Sequence, residues 1–126
     1  MIVLDTSVLV DALTGPRTSL PGLRRAIDGS GRVVVPSLVH FEWLRGPREP
    51  AELAFQEALF PAAAALPFSG EEASLAAKLY RAAARPHGRD TDLAIAAHAL
   101  LLEAEVWTLN ARDFADVPGI RLFSPS

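Results

Sequence analysis

The sequence predicts a three-layer α/β/α domain, with helices on both faces of a central, mostly parallel sheet of about five strands. Short apolar or β-branched runs alternate along the chain with longer helical segments. The chain has 126 residues, enough for one hydrophobic core but not for two. No repeat, low-complexity tract or domain boundary is visible, so we expect a single domain over residues 1–126.

The predicted strands differ in how strongly the sequence favours them. The first two are continuous apolar or β-branched runs, typical of buried parallel strands. The third lies in an alanine-rich segment between Pro61 and Pro67. Because two prolines leave little room there for a helix, we expect a short edge strand. The five strands are Ile2–Leu4, Arg32–Val35, Ala64–Leu66, Val106–Leu109 and Ile120–Phe123.

Six helices are predicted between these strands, with ends marked by capping residues, Gly or Pro. Ser37 is a candidate N-cap, and Pro50 suits the first turn of a helix. Ser69 followed by Glu72 fits a capping box, which opens a helix running to about Ala84. The other five helices are Ser7–Leu13, Leu20–Asp28, Ser37–Arg45, Pro50–Phe60 and Thr91–Glu103.

Composition limits the possible functions. The absence of cysteine excludes disulfides, thiolate zinc sites and cysteine nucleophiles. No apolar run approaches the roughly 18 residues of a membrane span, and no basic segment of a signal peptide precedes the first apolar run. We therefore expect a soluble, cytoplasmic protein without a membrane partner. The net charge of −3 argues against a nucleic-acid partner, but that argument is weak where acids cluster around divalent cations.

Four acids lie at junctions where a fold of this class places its ligands. Asp5 ends the first apolar strand, and the tips of parallel strands border the ligand crevice of open α/β sheets. Glu42 lies in a helix that is apolar on nearly all sides, where an unpaired charge is costly. Asp92 lies in the first turn of a helix, where the helix dipole favours a carboxylate. Asp113 follows a strand and a polar loop.

Each acid also has a simpler interpretation. Asp5 is a candidate cap for the following helix, Glu42 for an ion pair with Arg45, and Asp113 for a loop cap. Asp90 lies about 200° from Asp92 around a helix axis, so we assign it to the cap or to solvent. Considered jointly, carboxylates crowded together repel one another unless a cation intervenes. Oxygen ligands select Mg²⁺ or Mn²⁺, which promote phosphodiester hydrolysis.

The chain resembles the PIN-domain ribonucleases, and specifically the VapC-type toxins of bacterial and archaeal toxin–antitoxin pairs. The resemblance is carried by four segments in the family's order: IVLDTSVLV (2–10), FEWLRG (41–46), DLAIAAHAL (92–100) and TLNARDF (108–114). It implies a PIN-like fold, an RNA substrate, products with a 5′-phosphate and a 3′-hydroxyl, a cognate antitoxin and a homodimer. It also implies that one or two Mg²⁺ or Mn²⁺ ions are bound by Asp5, Glu42, Asp92 and Asp113.

The resemblance further implies a role for each site residue. Asp5 and Asp92 hold the principal ion, while Glu42 and Asp113 complete its shell or orient the attacking water. Two accompanying residues match polar positions of the family. Thr6 is expected to hydrogen-bond within the site, and Asn110 to fix the loop that carries Asp113.

Arginines are the candidate RNA contacts, because guanidinium groups bind phosphate well. Arg81 and Arg85 are expected to be neighbours one helical turn apart. The other two candidates are Arg45 and Arg112, although Arg45 falls where the family often has a smaller or polar residue. A solvated charged surface is the alternative for all four arginines.

Three rival functions deserve comparison. A receiver-like signalling domain needs paired acids after the first strand and a lysine near the last, whereas the only lysine, Lys78, lies within a helix. A phosphatase of the Asp-x-Asp type needs a second aspartate where Ser7 lies. A catalytically silent module with the same fold, binding RNA or protein, remains the alternative. A nuclease assay with and without EDTA separates it from the enzyme.

Overall fold

The apolar run Ile2–Leu4 forms strand β1, which is buried at the centre of a parallel sheet. It pairs in parallel with β2 (Val33–Val34) on one side and with β3 (Glu105–Trp107) on the other. The strand order is therefore β2-β1-β3. These and all other features belong to a computed structural model that describes residues 1–29 and 31–125; residues 30 and 126 of the predicted domain lie outside it.

The prediction of about five strands is wrong, because three strands form the sheet in the described ranges. The two other predicted strands are reduced to single parallel bridges, Leu66 beside Pro36 and Leu122 beside Val106. At the first bridge Leu66 makes two backbone hydrogen bonds, and the prolines at 36 and 67 have no N–H with which to extend the pairing. At the second bridge, the neighbouring strand β3 itself ends at Trp107.

Helices flank the sheet, and their ends fall within about two residues of the predicted ones. The predicted capping box is present, since Glu72 Oε1 accepts a hydrogen bond from the Ser69 backbone N–H at 2.8 Å. Ser37, however, is the first residue of its helix, and Pro36 takes the cap position. The α-helices are Thr6–Leu13 (α1), Leu20–Asp28 (α2), Ser37–Arg45 (α3), Pro50–Leu59 (α4), Gly70–Ala82 (α5) and Asp90–Leu102 (α6), with 3₁₀ helices at Ala62–Ala64 and Ala111–Phe114.

The core fixes the helices that carry the acids. Helix α6 is buried from Leu93 to Ala99, and the small side chains Ala96 and Ala99 are fully buried. Such small residues allow close packing of the helix. Trp43 of α3 is also fully buried, as expected for a core tryptophan. In the described part of the chain, no helix is long and apolar enough to cross a membrane.

A buried polar network joins α3 to α4. The Trp43 indole N–H donates to Gln56 Oε1 at 3.2 Å, and Gln56 Nε2 donates to the Phe60 carbonyl at 3.0 Å. His40 Nε2 lies 3.2 Å from the same carbonyl. Since buried polar groups are costly without partners, this network sets the position of α3 and therefore of Glu42.

Candidate functional site

Asp5 lies at the tip of β1 and is only 5% exposed. Its Oδ1 accepts the Thr6 backbone N–H at 2.8 Å, which caps α1. Its Oδ2 accepts hydroxyl groups from Ser7 at 2.8 Å and Thr108 at 2.6 Å. The capping interpretation is therefore correct as far as it goes, and the same carboxylate also joins β1 to the segment that follows β3.

Glu42 faces the first turn of α1. The Thr6 hydroxyl donates to Glu42 Oε1 at 2.6 Å, while Arg45 Nη2 lies 3.4 Å from Glu42 Oε2. The Arg45 side chain is 60% exposed, so this ion pair is weak. The hydrogen bond from Thr6, the residue after Asp5, fixes one oxygen of Glu42 at the start of α1.

Asp92 lies in the first turn of α6, and the pKa of its carboxyl is shifted from the usual value. Burial, followed in order of effect by the charges of Asp5, Asp113 and Glu42, raises the pKa of its carboxyl to about 6, while Arg89 opposes this shift. Residues 1–29 and 31–125 supply no hydrogen-bond donor to this carboxylate. Asp90, two residues earlier, is exposed, as expected for an acid directed to solvent. The four predicted acids therefore share one electrostatic environment centred on Asp92.

Asp113 lies in the 3₁₀ helix Ala111–Phe114, which the fully buried Phe114 anchors to the core. The Asp113 backbone N–H donates to the Asn110 carbonyl at 2.9 Å, and the Asn110 N–H donates to Thr108 Oγ1 at 2.9 Å. Asn110 thus contacts this loop through its backbone, and its side chain is exposed. A shallow cavity of about 350 Å³ is lined by residues 109–113.

The acids are near one another without forming a finished ligand set. Among the residues that the structure describes, no three His, Asp or Glu side chains are arranged to hold one metal ion. Like charges separate carboxylates unless a cation lies between them. The half-buried carboxylate of Asp92, with three acids acting on it and no hydrogen-bond donor, fits a hard dication in donor chemistry.

The candidate RNA-contacting arginines are spread over the surface. Arg112 lies in the 3₁₀ helix beside Asp113, and Arg45 pairs with Glu42; both are exposed. The prediction that Arg81 and Arg85 are helical neighbours is wrong, because α5 ends at Ala82 and the backbone is extended at the next residue. Residue 85 therefore lies beyond the helix that carries Arg81.

Three side chains of this region were not predicted as site residues: Ser7 and Thr108, which donate to Asp5, and Arg89, which donates to the Asp113 carbonyl at 2.7 Å. Thr108 follows β3 directly, so the reasoning that singled out Asp5 at a strand tip also applies to it. Arg89 gives no comparable signal, because its partners lie 24 and 27 residues further along the chain.

Comparisons with known proteins agree with this architecture. The family model of the PIN domain matches residues 2–120. Ribonuclease VapC19 of Mycobacterium tuberculosis is 32% identical over 123 residues, covering 96% of this chain and 98% of that protein.

Two solved structures are similar along nearly the whole chain. DNA-bound VapBC from Salmonella typhimurium has a TM-score of 0.77 and 26% identity, covering 97% of this chain and 96% of that one. A toxin–antitoxin complex from Klebsiella pneumoniae has a TM-score of 0.72 and 23% identity, covering 100% and 98%. The family match covers most of the chain and includes all four acids. The chain therefore belongs to the PIN-domain family.

Proposed function

We propose that this chain is an endoribonuclease, dependent on Mg²⁺ or Mn²⁺, that acts as the toxin of a toxin–antitoxin pair. The observation that carries the proposal is the half-buried Asp92 carboxylate, which is destabilised by three neighbouring acids and lacks a donor in the described residues. Such an arrangement costs stability unless a cation compensates for it. The name of the relative from Mycobacterium tuberculosis, a ribonuclease, supports RNA as the substrate.

The four acids would then form two pairs with different roles. Asp92 and Asp5 would hold the principal ion, which supplies charge neutralisation and activation of water when bound. Asp5 is already fixed by three hydrogen bonds, so its side chain would lose little conformational entropy when an ion binds. Glu42, held at one oxygen by Thr6, would orient the attacking water or complete the shell of the ion. Asp113, in the 3₁₀ helix Ala111–Phe114, would share that role.

Cleavage of a labelled RNA by the purified protein tests the proposal. We expect cleavage with Mg²⁺ or Mn²⁺, none with EDTA, and products that carry a 5′-phosphate. Asp92→Asn and Asp5→Asn should each reduce the rate beyond the ~100-fold typical of lost outer-shell partners of a metal. Asp90→Asn, an exposed acid of the same helix turn, is the matched control and should retain activity.

A folded wild-type protein that leaves RNA intact with either ion would refute the nuclease and favour the catalytically silent module. Retained cleavage by a folded Asp92→Asn protein would refute the role of the acids.

RNA contacts by Arg45 and Arg112 predict that Arg→Ala changes raise KM and flatten its dependence on salt. An unchanged salt dependence would exclude both arginines.

The partner is proposed to be an antitoxin. The Salmonella structure, at 26% identity, is a VapBC complex, which supports a partner of the same kind for this chain. Co-expression with the neighbouring reading frame should yield a complex that no longer cleaves RNA.

Homodimer formation is proposed as well, through apolar helix residues such as Leu53 and Tyr80, which are 36% and 38% exposed. Sedimentation of the isolated chain would measure it.

A further inference from the structure

Arg89 joins the two segments that carry Asp92 and Asp113. It occupies the N-cap position of α6, three residues before Asp92. Its guanidinium donates to both carboxylate oxygens of Asp116, at 2.9 and 2.7 Å, and to the Asp113 carbonyl at 2.7 Å. One side chain therefore connects the start of α6 to the 3₁₀ helix Ala111–Phe114 and the residues after it.

The Arg89–Asp116 ion pair is bidentate, a geometry that is stronger than a single contact. A two-point contact between guanidinium and carboxylate fixes the direction of both groups. The Arg89 side chain is 16% exposed and that of Asp116 is 48% exposed, whereas Arg45 is 60% exposed in its single-point pair with Glu42. The hydrogen bond to Asp116 is the main cause that raises the pKa of Arg89, and it lowers the pKa of Asp116.

The 3₁₀ helix needs such support. It has four residues, and short 3₁₀ segments have weak intrinsic stability. The buried side chain of Phe114 anchors it to the core. The charge of Asp113, however, acts unfavourably on Asp92 and tends to separate the 3₁₀ helix from the start of α6. The positive charge of Arg89 acts favourably on both carboxylates and opposes that separation.

We propose that Arg89 is a positioning residue that, with its orientation fixed by Asp116, holds the 3₁₀ helix Ala111–Phe114 against the start of α6 and keeps Asp113 close to Asp92. The metal and activity measurements below rest on the proposed function; the exchange measurement does not. On this account Arg89 supports metal binding without contacting RNA.

The test compares Arg89→Ala, Arg89→Lys and Asp116→Asn with wild type. Arg121→Ala is the matched control, because Arg121 also donates to a backbone carbonyl, that of Glu103 at 2.6 Å, but at the far end of α6. The first measurement is amide hydrogen exchange of Asp113, Ala115 and Val117 without metal, since these N–H groups form the local hydrogen bonds. The second is the Mn²⁺ dissociation constant, and the third is kcat and KM on RNA.

For Arg89→Ala we expect about tenfold faster exchange at these three amides only, and Mn²⁺ binding about tenfold weaker or more. The kcat at low Mn²⁺ should fall and recover at high Mn²⁺, with KM for RNA nearly unchanged. Asp116→Asn should give smaller changes in the same direction. Arg89→Lys should recover only part of the loss, because lysine cannot make the two-point contact. Arg121→Ala should match wild type.

Unchanged exchange and Mn²⁺ affinity in Arg89→Ala would overturn the inference, and so would faster exchange spread evenly over the whole domain. A raised KM with unchanged exchange and Mn²⁺ affinity would make Arg89 an RNA contact instead. If Arg89→Ala does not fold, the lysine variant and Asp116→Asn decide. If wild type cleaves no RNA, the proposed function fails, whereas the exchange result still decides this inference.

Discussion

Replacing Asp92 with asparagine should stabilise the protein at neutral pH in the absence of divalent cations. The change keeps the size of the side chain and removes its charge. Burial and three neighbouring acids raise the pKa of the Asp92 carboxyl from 3.8 to about 6. At ~1.4 kcal/mol per pKa unit, the ionised form is disfavoured by about 3 kcal/mol. Screening at this half-buried position reduces that to about 1–2 kcal/mol.

The pH dependence has a definite sign. Below about pH 3.8 the carboxyl is neutral in both the folded and the unfolded chain, so the charge contributes nothing. As the pH rises towards about 6, the unfolded chain ionises first and wild type loses stability. The advantage of Asp92→Asn should therefore be small near pH 4 and complete above about pH 6.5.

Urea unfolding followed by tryptophan fluorescence measures this effect, because Trp43 and Trp107 are 0% and 2% exposed. The experiment compares wild type with Asp92→Asn and with the control Asp90→Asn, in EDTA and in Mn²⁺. Mn²⁺ at about 100 times its dissociation constant should add ~2.7 kcal/mol to wild type and much less to Asp92→Asn. An Asp92→Asn protein that is less stable than wild type in EDTA at neutral pH would refute the reasoning.

Two further changes test the scaffold by urea unfolding. Gln56→Ala leaves the Trp43 indole N–H and the Phe60 carbonyl without this partner, and should cost about 2–4 kcal/mol; a loss below about 0.5 kcal/mol would mean that the network is not essential. Glu103→Gly should add ~1 kcal/mol, because Glu103 ends α6 in the left-handed conformation with φ 51°, whereas Glu103→Ala retains that strain. Equal stability of the glycine and alanine variants would contradict the strain argument.

The sequence predicted those parts of the fold in which one local signal suffices. The apolar run of β1 marks a buried strand, and the spacing of Ser69 and Glu72 marks the start of α5. The prediction failed where pairing between backbone segments decides whether a strand forms. The segments around Leu66 and Leu122 have suitable residues for strands, but each makes a single bridge.

The candidate site likewise contains residues that a local sequence pattern indicates and residues that it does not. Asp5 and Asp92 were identifiable because each lies at the end of an element with a recognisable pattern. The contact of Arg89 with Asp116 depends on two loops that meet only after folding. No periodicity or capping pattern in either loop indicates that they meet.

The hydrogen bonds of Asp5 affect which acids we expect related sequences to retain. Asp5 caps α1 and is bound by two hydroxyls, so a related chain that had lost the proposed nuclease activity would still have a structural reason to keep an acid there. In residues 1–29 and 31–125 no hydrogen bond ties the Asp92 carboxylate to a neighbouring element, and its charge disfavours folding. Among relatives that lack the proposed activity, we expect substitutions to accumulate first at position 92.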